Sequence, residues 1–254
     1  MQTVSPQSGL RWIQLGWSYF ASQPGLLLAL FFGNLFLVLL LNIIPLIGGL
    51  LATLLAPATS MATLSACAFI ARKQAMVPGL LFIGYRSPAL PNLLRLGLLY
   101  GTACIAIALI IHFASEGQLL QIMAGKIKLK PGDPLPVGAL QGMLAAFILY
   151  PCVTLLFWFT APLVMWQHMT AGKALFFSFF AVWRARSAFL VYGLCWLAIV
   201  FIPIVTISVL GGLLGSPGFA TILALGAITS AKVCFDCSCF ASYQQVFGDP
   251  ETVT

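Results

Sequence analysis

Residues 230 to 243 read SAKVCFDCSCFASY, placing a lysine, an aspartate and three cysteines in an otherwise apolar run. Two kinds of chemistry could use them. The first is metal binding, with Cys234 and Cys237 at i, i+3 and Asp236 or Cys239 as a further ligand. Zinc takes three or four thiolate, imidazole or carboxylate ligands at tetrahedral angles. At about 100° per residue, however, Cys239 lies roughly 160° round a helix from Cys237, so the three sulfurs cannot aim at one point. The second apolar run offers only Cys67, and His168 falls just past the end of the fourth. The cysteines therefore read as small packing residues, and no metal is expected.

The second chemistry is electrostatic. Lys232 and Asp236 stand at i, i+4, so they share a helix face and can pair. A charge at the bilayer centre costs about 2.5–3.5 kcal/mol on insertion scales, so such groups face the bundle or a wet cavity. The competing reading is a helix end, with Asp236 at the interface and Lys232 snorkelling to it. The expectation is a polar pair turned to the bundle, with Asn34 of the first run and Thr59 and Ser60 of the second as its neighbours. Thr229 and Ser230 join the candidates because they match Thr59 and Ser60 in an internal similarity described below. Hydroxyls in membrane helices commonly bond their own backbone instead.

No catalytic residues and no cofactor are expected. Walker, Rossmann, HExxH and GxSxG patterns are absent. Of five acidic residues only Asp236 is intramembrane, leaving almost no candidates for acid–base work on a soluble substrate.

The elements that must position these residues follow from composition. The chain has 254 residues, 61% hydrophobic and 7% charged, with a mean hydropathy of +1.05. A soluble domain carries roughly a quarter charged residues, so this chain cannot cover a water-facing surface. Apolar runs at about 25–46, 49–71, 92–112, 139–166, 188–210 and 218–241 are each long enough to cross a bilayer as a helix. They are continuous and not alternating, which excludes a barrel. The fold class is therefore an all-α polytopic membrane protein, with a kink expected in the fourth span at Pro151 and Pro162. No cleavable signal peptide is expected before the first span.

The net charge of +7 serves topology and not nucleic acid, for which no domain remains. Arg11, Arg72, Lys73, Arg86, Lys173, Arg184 and Arg186 fall on one side, and Lys126, Lys128 and Lys130 on the other. Both termini are then cytoplasmic.

The stretch LRWIQLGWSYFASQ puts Arg11, Gln14, Ser18 and Ser22 on one helical face and Trp12, Trp17 and Phe20 on the other. That pattern fits a helix lying in the headgroup plane over about 10–22, ended by Pro24. PGLLFIGYRSPALPNLL and KALFFSFFAVWRARSAFL, before spans three and five, have similar parts. Further, IGGLLATLLAPATS resembles LGGLL followed by ATILALGAITS, and the pairs Trp17/Phe180 and Gly48/Gly211 share an offset of 163. One membrane domain, 1–254, is expected, built of three parallel pseudo-repeats at about 10–72, 78–168 and 173–245.

GWSYFASQPGLLLAL, APLVMWQHMTAGKALFFSFFAVWRARSAFLVYGL and ASYQQVFGDP resemble a family of proteobacterial six-helix inner-membrane proteins with no established activity. The resemblance covers nearly the whole chain. It implies six spans and a Gram-negative inner membrane, and it carries over no catalytic residue. The cysteine cluster lies outside its pattern.

The functional expectation is a non-enzymatic inner-membrane protein. It binds a lipid or other hydrophobic molecule, or serves as an accessory subunit of a membrane complex. The alternative is a small transporter or channel with a polar path near Lys232 and Asp236. A wet cavity reaching those residues would favour the alternative, and a dry, tightly packed interior the first.

Overall fold

The structure is a computed structural model, and it describes residues 4–250 except 46, 76, 78, 128–133 and 214. Lys128, Lys130 and Asp133 of the expected charge asymmetry therefore lie outside the described residues, as does the end of the first apolar run at Leu46.

The described residues form helices and turns. They run α1 (Ser8–Ser22), α2 (Pro24–Asn42), α3 (Gly48–Ala71), a 3-10 turn (Leu80–Phe82), α4 (Ile83–Arg86), α5 (Leu90–Ala114) and α6 (Gln118–Met123). Then follow α7 (Val137–Phe157), α8 (Thr160–Trp166), α9 (Ala171–Arg184), α10 (Arg186–Leu213) and α11 (Pro217–Phe247). Six helices, with α7 and α8 counted together, are long and apolar enough to cross a membrane. Three spans carry proline in the first helical turn, at Pro24, Pro91 and Pro217. There the missing N–H would have no helical partner anyway. Pro24 also pushes Gln23 out of the helical region (φ −145°, ψ 64°), separating α1 from α2.

Prolines decide where the fourth span breaks. The helix passes through Pro151 but ends at Phe157 and restarts at Thr160. Pro162 lacks the N–H that would bond the Trp158 carbonyl, and its ring crowds that carbonyl. The break falls there. Before the third span, the expected in-plane helix is only a 3-10 turn and one α turn. Ser87, ahead of Pro88, is held extended at ψ 139° and stops it.

The order of a short helix followed by two long ones occurs three times. Each short element packs on the hairpin before it, and the series closes on itself. The 3-10 turn and α4 pack on α3, α9 packs on α7 and α8, and α1 packs on α10 and α11. Glycines permit this closeness. A Cβ on Gly84 would stand 2.1 Å from the Ala58 carbonyl oxygen, and one on Gly16 2.7 Å from the Ser238 backbone nitrogen. Gly97 of the Gly97-x-x-x-Gly101 stripe likewise seats α5 on Leu54 of α3, so that stripe serves an internal contact. In the middle α3 meets both α8 and α11.

The buried core sits where α1, α8, the first turns of α10 and the second half of α11 come together. Tyr192 is its hub, with ring centroids 5.8 Å from Trp12, 5.7 Å from Trp158 and 5.9 Å from Phe235. Toward the hairpin tips the long helices turn Leu, Ile and Phe outward, as a lipid-facing surface does.

Candidate functional site

α11 has 31 residues, about 46 Å of helix, against a hydrocarbon core of about 30 Å. It runs past the 218–241 expected from hydropathy because its last turns have protein partners. Trp12 Nε1 donates to Gln245 Oε1 at 2.5 Å, Tyr19 Oη to Gln244 Oε1 at 3.0 Å, and Gln245 Nε2 to Ser8 Oγ at 2.9 Å. Trp12 and Tyr19, seven residues apart on α1, thus reach adjacent residues of α11. Lys232 stands at the midpoint of α11, and Asp236 one turn later. The helix itself continues past both, to Phe247.

Beside this midpoint lies a cavity of about 480 Å³, walled by α2, α3, α5, α7, α8 and α11. Lys232 Nζ bonds both carboxylate oxygens of Asp236, at 2.5 and 2.6 Å, and both residues line the cavity. The lysine side chain is 52% exposed and the aspartate 26%. Asn34 enters from α2 and Thr59, Ser60 and Thr63 from α3. Asn34 Nδ2 donates to the Thr59 carbonyl at 3.4 Å, while its Oδ1 is buried with no donor among the described residues. A buried acceptor left unpaired costs about 1–3 kcal/mol, so a hydrogen-bonding guest there would be favoured.

Four of the expected residues are thus brought together with Lys232: Asp236, Asn34, Thr59 and Ser60. The hydroxyls do not bond the charges. Thr59 donates to the Ala56 carbonyl at 2.9 Å and Ser60 to that of Pro57 at 2.9 Å, the local bonding usual for helical hydroxyls. Thr229 and Ser230 are not part of the cluster. Ser230 lies about 200° round the helix from Lys232 and lines a second cavity on the other side of α11. Thr229 lines neither cavity and donates to the Leu225 carbonyl at 2.8 Å.

Sequence reasoning missed the far wall. Tyr100 of α5, Tyr150 and Thr154 of α7, Trp158, and Thr160 of α8 complete the lining. Trp158 closes one corner, its Nε1 donating to Ser242 Oγ at 3.1 Å. Tyr100 and Tyr150 carry hydroxyls inside apolar runs, a signal that hydropathy hides because tyrosine counts as apolar.

The three cysteines of the opening stretch point three ways. Cys239 lines the first cavity and Cys234 the second, while Cys237 meets Cys67 of α3 with sulfurs 3.1 Å apart. Cys67, the one cysteine that the second apolar run offers, thus meets the cluster, and both thiols of that contact are fully buried. Among the described residues no three of His, Cys, Asp and Glu come together in a group able to hold a metal ion.

No family profile and no solved structure matches the chain. A curated protein of Burkholderia thailandensis, named as a probable inner membrane protein, is 32% identical over 253 residues, which span 98% of this chain and 94% of its own. Similarity at that level along nearly the full length of both, together with six apolar helices, shows that the chain belongs to this family of bacterial inner-membrane proteins.

Proposed function

We propose that this protein holds an amphipathic, mostly hydrophobic molecule inside the membrane, without chemically altering it. The observation that carries the reading is the cavity of about 480 Å³ beside the α11 midpoint. Its walls are mainly hydrocarbon, with a polar seam of Asn34, Lys232 and Asp236 on one side and tyrosine hydroxyls on the other. That is the arrangement of a site that buries a chain or ring and fixes the orientation of a polar head. The lining reaches no nearer the hairpin tips than Val38, Ala56, Tyr150 and Lys232, which supports a chamber over a through-path. Service within a larger membrane complex is compatible with the same chamber. Both termini are proposed to be cytoplasmic, from the clustering of Arg11, Arg72, Lys73, Arg86, Lys173, Arg184 and Arg186.

A second reading is a small transporter. It is favoured by one observation: the interior near Lys232 and Asp236 is a cavity and not a dry, close-packed core. Transport needs the chamber to open alternately to both sides.

Purification in native-lipid particles, with mass spectrometry of what co-purifies, tests the proposal. One molecular species enriched over the bulk membrane, and lost in Ser60→Trp, is the expected result. Co-purifying material of bulk composition in both proteins would refute it.

A further inference from the structure

On the opposite side of α11 lies a groove of about 630 Å³ between α10 and α11, roofed by α1. Its origin can be read from the residues. α11 presents small side chains there, Ala227, Ser230 and Ala231, which leave space that α10 does not fill. α10 carries Pro203 at the same level, and its ring removes the helical bond to the carbonyl of Ile199, another wall residue. From Trp196 to Ile204 the wall of α10 runs nine residues, or eight helical rises. That is about 12 Å at 1.5 Å per residue, close to the hydrocarbon depth of one leaflet, half of about 30 Å. At the α1 end the lining changes character, with the Gln14 amide and the exposed Trp17 ring. Arg11 stands one turn before Gln14 on α1. It is exposed and, among the described residues, makes no ion pair.

We infer that this groove binds one anionic phospholipid, with an acyl chain between α10 and α11 and its phosphate at Arg11 and Gln14. A walled hydrocarbon slot one leaflet deep, capped by an amide donor and an unpaired cation, matches that chemistry at both ends. Tryptophan at the mouth sits at the headgroup depth that indole rings prefer. A zwitterionic lipid would fill the slot equally well but would bring its own ammonium to the arginine. The charge of Arg11 therefore selects the anionic head. This site shares a helix with the first cavity, no lining residue with it, and does not depend on the function proposed for it.

The test is native mass spectrometry of delipidated protein titrated with phosphatidylglycerol or phosphatidylethanolamine in mild detergent. Wild type is expected to retain one phosphatidylglycerol per chain, at least threefold more readily than phosphatidylethanolamine. Ala231→Trp, which fills the groove, should lose that lipid more than tenfold, and folded Ser230→Leu, a smaller intrusion into the same wall, should weaken it severalfold, which keeps the test open where tryptophan is not accommodated. Arg11→Ala should keep lipid binding but lose the preference for phosphatidylglycerol. Ser60→Trp, which fills the first cavity, should leave all of this unchanged. Equal retention of the two lipids by wild type would overturn the inference. So would unchanged retention in folded Ala231→Trp and Ser230→Leu, or a lipid-free dimer with a second copy covering the groove.

Discussion

Replacing Lys232 alone should cost more than replacing both members of the Lys232–Asp236 pair, so the two substitutions should not add. The two groups are bonded at 2.5 and 2.6 Å in a chamber with largely apolar walls. Removing one partner from a fully buried pair costs about 3–5 kcal/mol, because the other charge is left uncompensated. Lys232→Met leaves the aspartate, whose short side chain is only a quarter exposed and has no second cation among the residues lining the cavity. Allowing for that exposure, the expected loss is about 2–3 kcal/mol. Asp236→Asn leaves a lysine that is half exposed and carries a long flexible stem. It can snorkel, and the expected loss is about 1 kcal/mol. The double variant Lys232→Met/Asp236→Leu removes both charges and should lie within about 1 kcal/mol of wild type, a coupling of roughly 2 kcal/mol or more. Unfolding in mixed micelles, titrated with denaturing detergent, measures all four proteins under one condition. If the double variant loses the sum of the single losses, the charges do not act on each other and the pair is no more than a polar helix face.

Three further outcomes follow from contacts elsewhere. Gly97→Ala should destabilise by about 1–3 kcal/mol through overpacking, since its Cβ would stand 2.0 Å from the Leu54 carbonyl oxygen. Gly101→Ala, whose Cβ would meet only the Thr53 methyl at 3.6 Å, should be tolerated, and equal losses at both positions would contradict the α3–α5 packing. Trp12→Ala should cost about 3–5 kcal/mol as a large-to-small core change. Trp12 is fully buried against Phe189 and Tyr192, and a loss under about 1 kcal/mol in the same unfolding assay would show that α1 is not docked. For topology, a cysteine introduced at Lys126 should be labelled from the periplasm by a membrane-impermeant reagent and one at Lys73 should not; the reverse pattern would invert the orientation.

Much of the architecture was legible in the sequence because it depends on sums over neighbouring residues. Transfer of about twenty apolar residues into hydrocarbon needs no knowledge of the rest of the chain, so six spans emerged from composition alone. The period of the helix placed Lys232 and Asp236 on one face and set Cys239 apart from Cys237, and the structure agrees with both. The short helix at α1 was legible for the same reason, its polar and aromatic residues repeating at helical spacing. What lies across a helix contact could not be read this way. Only packing decided that Asn34 and Tyr150, 116 residues apart, line one chamber, and that Ser230 belongs to a different one from Thr59. Only packing carried α11 beyond the apolar run, because Gln244 and Gln245 are held by Tyr19 and Trp12 from the other end of the chain. Hydropathy and periodicity are one-dimensional and report how each residue partitions between water and hydrocarbon. A cavity is the space that several helices together fail to fill, and its position depends on where prolines break helices and where glycines let them close.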